Sequence, residues 1–242
     1  MIGVRVMLRV LPKKIALVAL LTVIGYGQQA QAKNDDIDDL RFEKTNEWYL
    51  VKDDQHHDIQ TWAKREDGKQ IRSFKVRSEI KASVEEVMKV FLDFDNWKRW
   101  SWKVRISKLL KKVSATEYYA YVTHDSPFGV PDRDVILHFQ IDPYSPNHTY
   151  IGISIDAVPN YMPVEPNFVR IEAESLRIKI YSDGNGKTVF ENEGYVDPAS
   201  GMPIWSINFI QRTAPYTIML GLKRRVENHL YNDNFVVPFA TK

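Results

Sequence analysis

Strand patterns dominate the sequence from Trp48 onward, and only two later segments have the spacing of a helix. Short stretches of alternating apolar and polar residues follow one another, separated by turn-forming residues such as SDGNG at 182–186. The second helical segment, at about 204–230, would be roughly 40 Å long at 1.5 Å per residue. A sheet must bury one face, and two helices are too few to cover so many strands by flat contact. We therefore predict an α+β fold in which a curved antiparallel sheet wraps around the last helix.

Nine stretches have the composition and alternation of strands, so the predicted sheet has about nine members. In chain order they are EWYLVKD, DIQTWAKRE, IRSFKVRSEI, KVRISKLLKKV, TEYYAYVTH, RDVILHFQID, TYIGISIDAV, VRIEAESLRIKIY and KTVFENEGYVD. One amphipathic helix is inserted after the third strand, where Ser83 and Glu86 have the spacing of a capping box. The apolar face of that helix consists of Val84, Val87, Met88, Phe91 and Leu92.

The N-terminus has the layout of a secretory signal peptide. Four basic residues, the last of them Lys14, precede the apolar run IALVALLTVIGY at 15–26, and AQA at 30–32 matches a small-residue cleavage site. The apolar run is shorter than the about 20 residues that a membrane span requires, and an uncleaved anchor is the alternative. We expect a signal peptide at 1–32 and a mature protein that is periplasmic or secreted.

Cleavage near Ala32 would leave a lead-in or short helix at 33–47 and one folded domain at 48–242. The removed segment contains four of the 33 basic residues and none of the 31 acidic ones, so the net charge would change from +2 to −2. The domain lacks the basic stripe of a nucleic-acid-binding protein, and no nucleic-acid partner is expected. The chain has no cysteine, so the exported domain would depend on its core without disulfides.

One strand and two proline-containing loops carry candidate binding residues. Because side chains alternate along a strand, one face of RDVILHFQID consists of apolar residues. These residues are Val135, Leu137, Phe139 and Ile141. The loop at 124–132 has Phe128 at its tip, and the loop at 157–168 contains Met162. Both loops would lie near the apolar row and could cover it.

Four short motifs in a fixed order resemble those of the StAR-related lipid-transfer (START) family. They are Trp97 after the first helix, Arg133 and Asp134 in PDRDVIL, Arg170 in FVRIEAE, and Asp197 and Pro203 in YVDPASGMPIWSIN. The resemblance extends from about Trp48 to Leu230. The last motif departs from the family pattern in one respect, because its glycine is Gly201 and not residue 200.

The resemblance implies a helix-grip fold with a lipid-binding cavity between the sheet and the last helix. It also implies a carrier that binds one lipid, touches a membrane surface transiently, and needs no cofactor, metal ion or catalytic residue. The side chains expected to contact the lipid are Phe128, Val135, Leu137, Phe139, Ile141, Met162, Phe209, Ile210, Tyr216 and Met219.

The identity of the lipid stays open at this stage. Sterol-binding proteins of the resembled family carry an arginine six residues after the equivalent of Arg133, paired with an acid, and Phe139 occupies that position here. A fatty acyl chain, a phospholipid and a sterol-like lipid held by shape all remain candidates. Arg170 has two interpretations, as an anchor for a lipid head group or as half of an outward salt bridge.

Two other functions remain as alternatives. An enzyme resembling polyketide cyclases and aromatases would need an acid–base group inside the cavity, and the predicted inward rows contain none. A lipid sensor without transfer activity is the other alternative. His124 at the start of the first loop has a surface or capping role as its simpler interpretation, with a position at the cavity mouth as the alternative, and His138 is predicted to face outward.

Overall fold

Ten strands and one long C-terminal helix make up most of the domain in a computed structural model. The model describes residues 45–69, 71–127, 129–199 and 201–241. The strands are β1 (Tyr49–Asp54), β2 (Ile59–Lys64), β3 (Ser73–Ile80), β4 (Val104–Lys112), β5 (Glu117–His124), β6 (Asp132–Asp142), β7 (Ile151–Ala157), β8 (Phe168–Arg170), β9 (Ala173–Ser182) and β10 (Thr188–Asp197). The helices are α1 (Val84–Phe91), a 3₁₀ helix (Phe94–Arg99) and α2 (Ile204–Glu227). The predicted signal peptide at 1–32 and nearly all of the lead-in at 33–47 lie outside the described residues.

The strands form one open sheet in the order β1-β2-β3-β10-β9-β7-β6-β5-β4, and every pair along this order is antiparallel. The sheet has one strand more than predicted because VRIEAESLRIKIY splits into β8 and β9. β7 pairs with β6 only over Leu137–Asp142, which leaves the N-terminal half of β6 with a free edge. β8 pairs with that edge in parallel, over Asp132–Asp134. The predicted α+β class and the antiparallel sheet with a last helix are confirmed.

Helix α1 begins at the predicted capping box. The Ser83 hydroxyl accepts a hydrogen bond from the Glu86 amide, and the Glu86 carboxylate accepts one from the Ser83 amide at 2.8 Å. These bonds satisfy two amide donors that a helix N-terminus otherwise leaves unpaired. The apolar face of α1 is buried through Val84, Val87, Met88 and Phe91, so the helix packs as its spacing indicates.

Helix α2 is held at its C-terminal half. A Cβ atom built on Gly221 would lie 2.0 Å from the Trp100 carbonyl oxygen, so the helix and the segment after the 3₁₀ helix touch backbone to backbone. The Lys223 ammonium group donates a hydrogen bond to the Glu79 carbonyl at 2.5 Å and pairs with Glu227 at 2.8 Å. Leu222 is buried between these contacts. The helix continues through Pro215 and does not end there.

The two faces of β6 are both covered, but by different parts of the chain. Val135, Leu137, Phe139 and Ile141 are buried on the face toward α2, as their alternation predicts. Ile136 on the opposite face is also fully buried, and the Tyr161 ring of the connection from β7 to β8 stacks on the Tyr119 ring of that face at a centroid distance of 4.6 Å. The connection from β7 to β8 therefore lies across the outer face of the sheet.

A buried ion pair fixes this connection to the outer face. Arg170 donates through Nε and Nη2 to the two carboxylate oxygens of Asp134, at 2.8 and 2.9 Å. The Arg170 guanidinium group also donates to the carbonyls of Pro159, Met162 and Pro163 at 2.6, 3.1 and 3.1 Å. Arg170 is therefore a structural clamp under the connection and faces away from α2. Its head-group interpretation is wrong, and the salt-bridge interpretation is correct except that the bridge is buried.

We predict that the substitution Arg170→Met lowers the free energy of unfolding by about 3–5 kcal/mol, because it leaves the Asp134 carboxylate buried without its cation. Arg177→Met is the matched control. Arg177 pairs with Asp156 at 3.0 Å, but both side chains are largely exposed, and such pairs contribute about 0–1 kcal/mol. Urea unfolding of both variants measures the difference. Equal destabilisation of the two variants would show that the buried clamp is not needed.

We also predict that Gly221→Ala destabilises the domain by about 1–3 kcal/mol, because the added methyl group must push α2 away from the Trp100 carbonyl. Gly152→Ala is the control for the loss of a glycine, since its Cβ would have only ordinary contacts, at 3.5 Å or more. Thermal unfolding of both variants tests the prediction, and a Gly221→Ala protein as stable as the parent would contradict the close approach of the helix.

Candidate functional site

A cavity of about 230 Å³ lies between the inner face of the sheet and α2. Seven strands contribute to its wall, from β3 through β10, β9, β7, β6 and β5 to β4, and α2 closes it along most of its length, from Ile207 to Leu222. Most of the wall is apolar. Its apolar side chains from α2 are Ile207, Ile210, Ala214, Pro215, Ile218, Met219 and Leu222. Those from the sheet include Phe74, Val76, Val122, Leu137, Ile155, Leu176, Ile178, Phe190 and Val196.

Tryptophans from the segment after α1 form another part of the wall. Trp97 is held in place by a hydrogen bond from its indole Nε1 to the Phe91 carbonyl at 2.8 Å. Its ring packs at centroid distances of 5.6–5.7 Å against Phe94, Trp100 and Phe139. Trp97, Trp100 and Trp102 all line the cavity. The family-motif tryptophan is thus both a core residue and a wall residue.

Three of the ten residues predicted to contact a ligand line this cavity, namely Leu137, Ile210 and Met219. Val135, Phe139 and Ile141 share the face of Leu137, but they are buried in solid packing and do not line the cavity. Phe139 is surrounded by the Phe94 and Trp97 rings at 5.0 and 5.6 Å, which fill the space next to it. The predicted orientation of this row of side chains is therefore correct, but only Leu137 borders the cavity.

Of the other four residues predicted to contact a ligand, three lie away from the cavity wall and one lies outside the described residues. Phe209 is 53% exposed and does not line the cavity. The Tyr216 hydroxyl donates to the Asp54 carboxylate, so this ring leans toward β1. Met162 belongs to the outer-face connection, where its carbonyl accepts from Arg170. Phe128 lies outside the described residues.

The remaining motif residues shape the ends of the site. Arg133 lines the cavity but is almost fully buried, and its Nε donates to the Pro198 carbonyl at 3.1 Å. The Asp197 carboxylate accepts from the Ala199 amide at 2.9 Å and so forms the turn before α2. Pro203 is the N-cap residue of α2. These three residues connect the start of α2 to the start of β6.

His124 also lines the cavity, directly opposite Arg133 in the β5–β6 ladder. Burial lowers the pKa of its imidazole to about 4, although the nearby Asp125 acts in the opposite direction. The ring is therefore neutral near pH 7. His124 continues the face of Val122 on β5, so its side chain points into the cavity, and the alternative position at the cavity wall is correct where the simpler surface interpretation is wrong.

Glu174 is a carboxyl group on the cavity wall that the sequence analysis did not single out. It shares its face of β9 with Leu176 and Ile178, which line the same cavity. Burial raises the pKa of Glu174 to about 7. The alternation of β9, in which Glu174 begins the row that Leu176, Ile178 and Ile180 continue, is the signal that would have revealed it.

Apart from the Asp125 Oδ1, which forms an ion pair with Arg105, three polar atoms of the cavity-lining side chains are buried without a hydrogen-bond partner among the described residues. They are the Asn192 Oδ1, the Gln211 Nε2 and the Trp100 Nε1. An unpaired buried donor or acceptor costs about 1–3 kcal/mol. Asn192 lies two residues from Phe190 on β10, and both line the cavity, so the alternation of the strand gives the inward orientation of Asn192. The cavity is therefore less uniformly apolar than the sequence analysis expected.

Exposed aromatic residues adjoin the cavity at the beginning of α2. Trp205 is 64% exposed and Phe209 lies one turn further along the same helix face. The Phe209 ring contacts Trp102, which lines the cavity, at a centroid distance of 6.1 Å. An apolar surface thus continues from the outside of α2 to the wall of the cavity.

The described ranges contain no cluster of three or more His, Cys, Asp or Glu side chains that could hold a metal ion. Within the same ranges, no helix has both the length and the apolar character needed to cross a membrane.

This architecture was compared with those of known proteins. No protein-family model matches the chain. The uncharacterized protein PA1579 of Pseudomonas aeruginosa is 24% identical over 181 residues, which are 75% of this chain and 87% of that protein. The crystal structure of a STAR-related lipid transfer protein from Xanthomonas axonopodis is 26% identical, with a TM-score of 0.67 over 74% of this chain and 98% of that chain.

Two human structures share the fold at lower identity. Human STARD10 has a TM-score of 0.65 and 20% identity, over 82% of this chain and 80% of that chain. Human StAR-related lipid transfer protein 5 has a TM-score of 0.67 and 13% identity, over 84% of this chain and 97% of that chain. Together with the sheet order, the cavity and the position of α2, these similarities identify the described part of the chain as a START-like domain with the helix-grip fold.

Proposed function

We propose that this protein binds a single lipid in the cavity and carries it through the periplasm. The observation that carries this proposal is the largely apolar space between the sheet and α2. Protein interiors are normally packed to the density of organic crystals, so a space of this size is a feature that solid packing would have removed. The Xanthomonas axonopodis protein, a STAR-related lipid transfer protein by name, supports the same function for the shared fold.

The size of the cavity limits what it holds without rearrangement. An engineered cavity of about 150 Å³ binds benzene, and the present cavity has about 230 Å³. A short alkyl chain would therefore fit as the cavity stands, and a full-length lipid would require α2 or the neighbouring loops to move outward. Each Å² of apolar surface that a guest buries contributes roughly 25 cal/mol. The affinity would therefore increase with the length of the alkyl chain until the chain no longer fits the cavity.

The aromatic surface at the start of α2 supplies a route for loading. Trp205 and Phe209 would insert into the interfacial region of a bilayer, where amphipathic and aromatic rings are favoured. Because Phe209 adjoins Trp102 on the cavity wall, this contact would bring the lipid phase to the edge of the cavity. The predicted signal peptide at 1–32 supports a periplasmic location, with secretion as its alternative.

We predict that delipidated protein retains one guest per chain after incubation with hexadecan-1-ol, palmitic acid and dipalmitoyl phosphatidylcholine. The measurement is native mass spectrometry. Ala214→Phe should reduce the bound fraction at least roughly tenfold, because the ring occupies space that the guest needs. Thr213→Phe, next to it on α2 but outside the cavity wall, is the control. A parent protein without any adduct would refute the proposal.

We predict that the double variant Trp205→Ser, Phe209→Ser slows lipid transfer between donor and acceptor vesicles by roughly tenfold or more, because each ring contributes to insertion into the bilayer. Binding of a soluble short-chain guest should remain unchanged. Leu230→Ser, Val236→Ser is the control, since these side chains are also exposed but lie beyond the end of α2. Equal slowing of transfer by both pairs would contradict a specific docking surface.

A cyclase-like enzyme on the same fold is the second candidate. The specific observation in its favour is that His124 and Glu174, two groups capable of proton transfer near pH 7, lie on the cavity wall. The alternative requires that a small aromatic precursor is turned over and that Glu174→Gln abolishes the turnover. Lipid transfer without turnover supports the carrier, and a lipid sensor would bind its lipid without transferring it.

A further inference from the structure

The carboxyl group of Glu174 lies on the cavity wall without a hydrogen-bond or ion-pair partner among the described residues. Glu174 lies opposite Val196 in the β9–β10 ladder, and Leu176 and Ile178 follow it on the same face. Its carboxyl group makes no hydrogen bond and no ion pair with the described part of the chain. A carboxyl group in apolar surroundings is an expensive feature to retain, so its position indicates contact with something that enters the cavity.

The protonation state of this group decides what it can contact. An ionised carboxylate only accepts hydrogen bonds, whereas a neutral carboxylic acid has one O–H donor in addition to its acceptor oxygens. Burial disfavours the charged form, and burial raises the pKa of Glu174 to about 7. A guest that excludes water from the cavity would disfavour the charge further, so the bound state contains the neutral acid.

The unpaired atoms elsewhere on the wall include both donors and acceptors. Asn192 contributes an unpaired oxygen, and Gln211 and Trp100 contribute unpaired N–H groups. Asn192 is opposite Ile178, four residues from Glu174 along β9, so the two polar groups are roughly 14 Å apart at about 3.3 Å per residue and 4.8 Å between strands. A ligand would therefore meet Glu174 and Asn192 at separate points along its length.

The head groups of simple lipids differ in how they match these atoms. A carboxylate or phosphate has acceptors and a negative charge, so it would repel an ionised Glu174 and offer no donor to the acceptor oxygen of the neutral acid. An ammonium group has donors only, so it could not accept a hydrogen bond from the O–H of the neutral acid. A hydroxyl group both donates and accepts, and it carries no charge into the apolar space.

We infer that the ligand is an uncharged amphiphile with a hydroxyl group, and that Glu174 binds this hydroxyl as a neutral carboxylic acid. The inference rests on the proposed function, because it assigns a ligand class to the same cavity. Glu174 thereby discriminates against fatty acids and acidic phospholipids. In the proposed role, selection takes place inside the cavity and not at the membrane surface.

Five other ionisable side chains line the cavity. They are Arg72, Lys103, His124, Asp125 and Arg133. His124 is neutral above its lowered pKa of about 4, and Asp125 is paired with Arg105 at 2.6 Å. Arg, Lys and Asp side chains ordinarily titrate well outside pH 6–8. A change of affinity between pH 6 and pH 8 therefore reports on Glu174.

The sign of the pH effect follows from linkage. The pKa of Glu174 is raised to about 7 in the free protein, so the side chain is mostly neutral at pH 6 and mostly ionised at pH 8. If the complex contains only the neutral acid, binding at pH 8 must first add a proton to Glu174. The affinity for an uncharged hydroxyl ligand should therefore be roughly tenfold lower at pH 8 than at pH 6.

The test uses three probes with the same ten-carbon chain, namely decan-1-ol, decanoic acid and decylamine, with the mature full-length protein. Binding is measured by the fluorescence of the tryptophans on the cavity wall at pH 6 and pH 8. We expect decan-1-ol to bind at least roughly fivefold more tightly than the other two probes at pH 6, with the pH dependence given above. Glu174→Gln should bind decan-1-ol without pH dependence, since the amide also donates and accepts but does not titrate.

Two further variants make each outcome decisive. Glu174→Leu keeps the volume but loses the hydrogen bonds, and it should reduce the preference for decan-1-ol over decanoic acid by roughly tenfold. Glu172→Gln removes an exposed carboxylate two residues away and should change nothing. If all three probes bind equally well and Glu174→Leu has no effect, the inference is overturned and the lipid-binding proposal survives. If no probe binds and no longer lipid is retained, the proposed function itself fails.

Discussion

The architecture depends on how α2 approaches the sheet. At its C-terminal half the helix touches the Trp100 backbone at Gly221 and is anchored by Lys223, and Val226 is completely buried. Between Ile207 and Leu222 the helix presents apolar side chains to the cavity. The C-terminal end of α2 is therefore fixed to the rest of the domain, and the cavity lies between the remainder of the helix and the inner face of the sheet. Any movement that admits a larger guest would pivot about the anchored end.

The buried clamp on the outer face complements this arrangement. Asp134 is held by Arg170 and accepts a hydrogen bond from the Tyr121 hydroxyl at 3.2 Å. Burial, with the nearby Asp134 second, raises the pKa of Tyr121 to about 12, so the phenol remains a donor. The clamp immobilises β6 from the outside at the residues next to the cavity-lining Arg133. The proposed opening is therefore assigned to α2 and the loops.

Much of the fold could be predicted from the sequence, because period and capping are local properties. Residues close together in the sequence determine the capping box of α1, the strands β1 and β2, and the alternation of β6. The split between β8 and β9 was not predictable in this way, because it depends on where β7 stops pairing with β6. Alternation along a strand also shows which side chains face inward, but it does not show which of them border the cavity. Leu137 and Phe139 have the same orientation, and only the rings of Phe94 and Trp97 decide that Phe139 is in solid packing.

The polar residues of the cavity were missed for a related reason. Glu174 and Asn192 each stand in a strand whose other inward residues are apolar, so their alternation shows the orientation but not the chemistry. His124 ends the predicted fifth strand, and its alternation with Val122 likewise gave its orientation but not its place on a cavity wall. The charges and unpaired atoms on the wall emerge only when several strands are assembled, and they change the expected site from a plain apolar tunnel to a space with defined hydrogen-bonding positions.

The most direct measurement of the central claim is a map of where a guest lies. Protein with labelled isoleucine, leucine and valine methyl groups, mixed with decan-1-ol, would show nuclear Overhauser effects between the alkyl chain and its neighbours. The account predicts effects at the methyl groups of Leu137 and Ile210, and none at Val135, which has the same orientation but lies in solid packing. Effects confined to exposed methyl groups such as those of Val164 and Val236 would show that the guest binds on the surface and that the cavity is not a binding site.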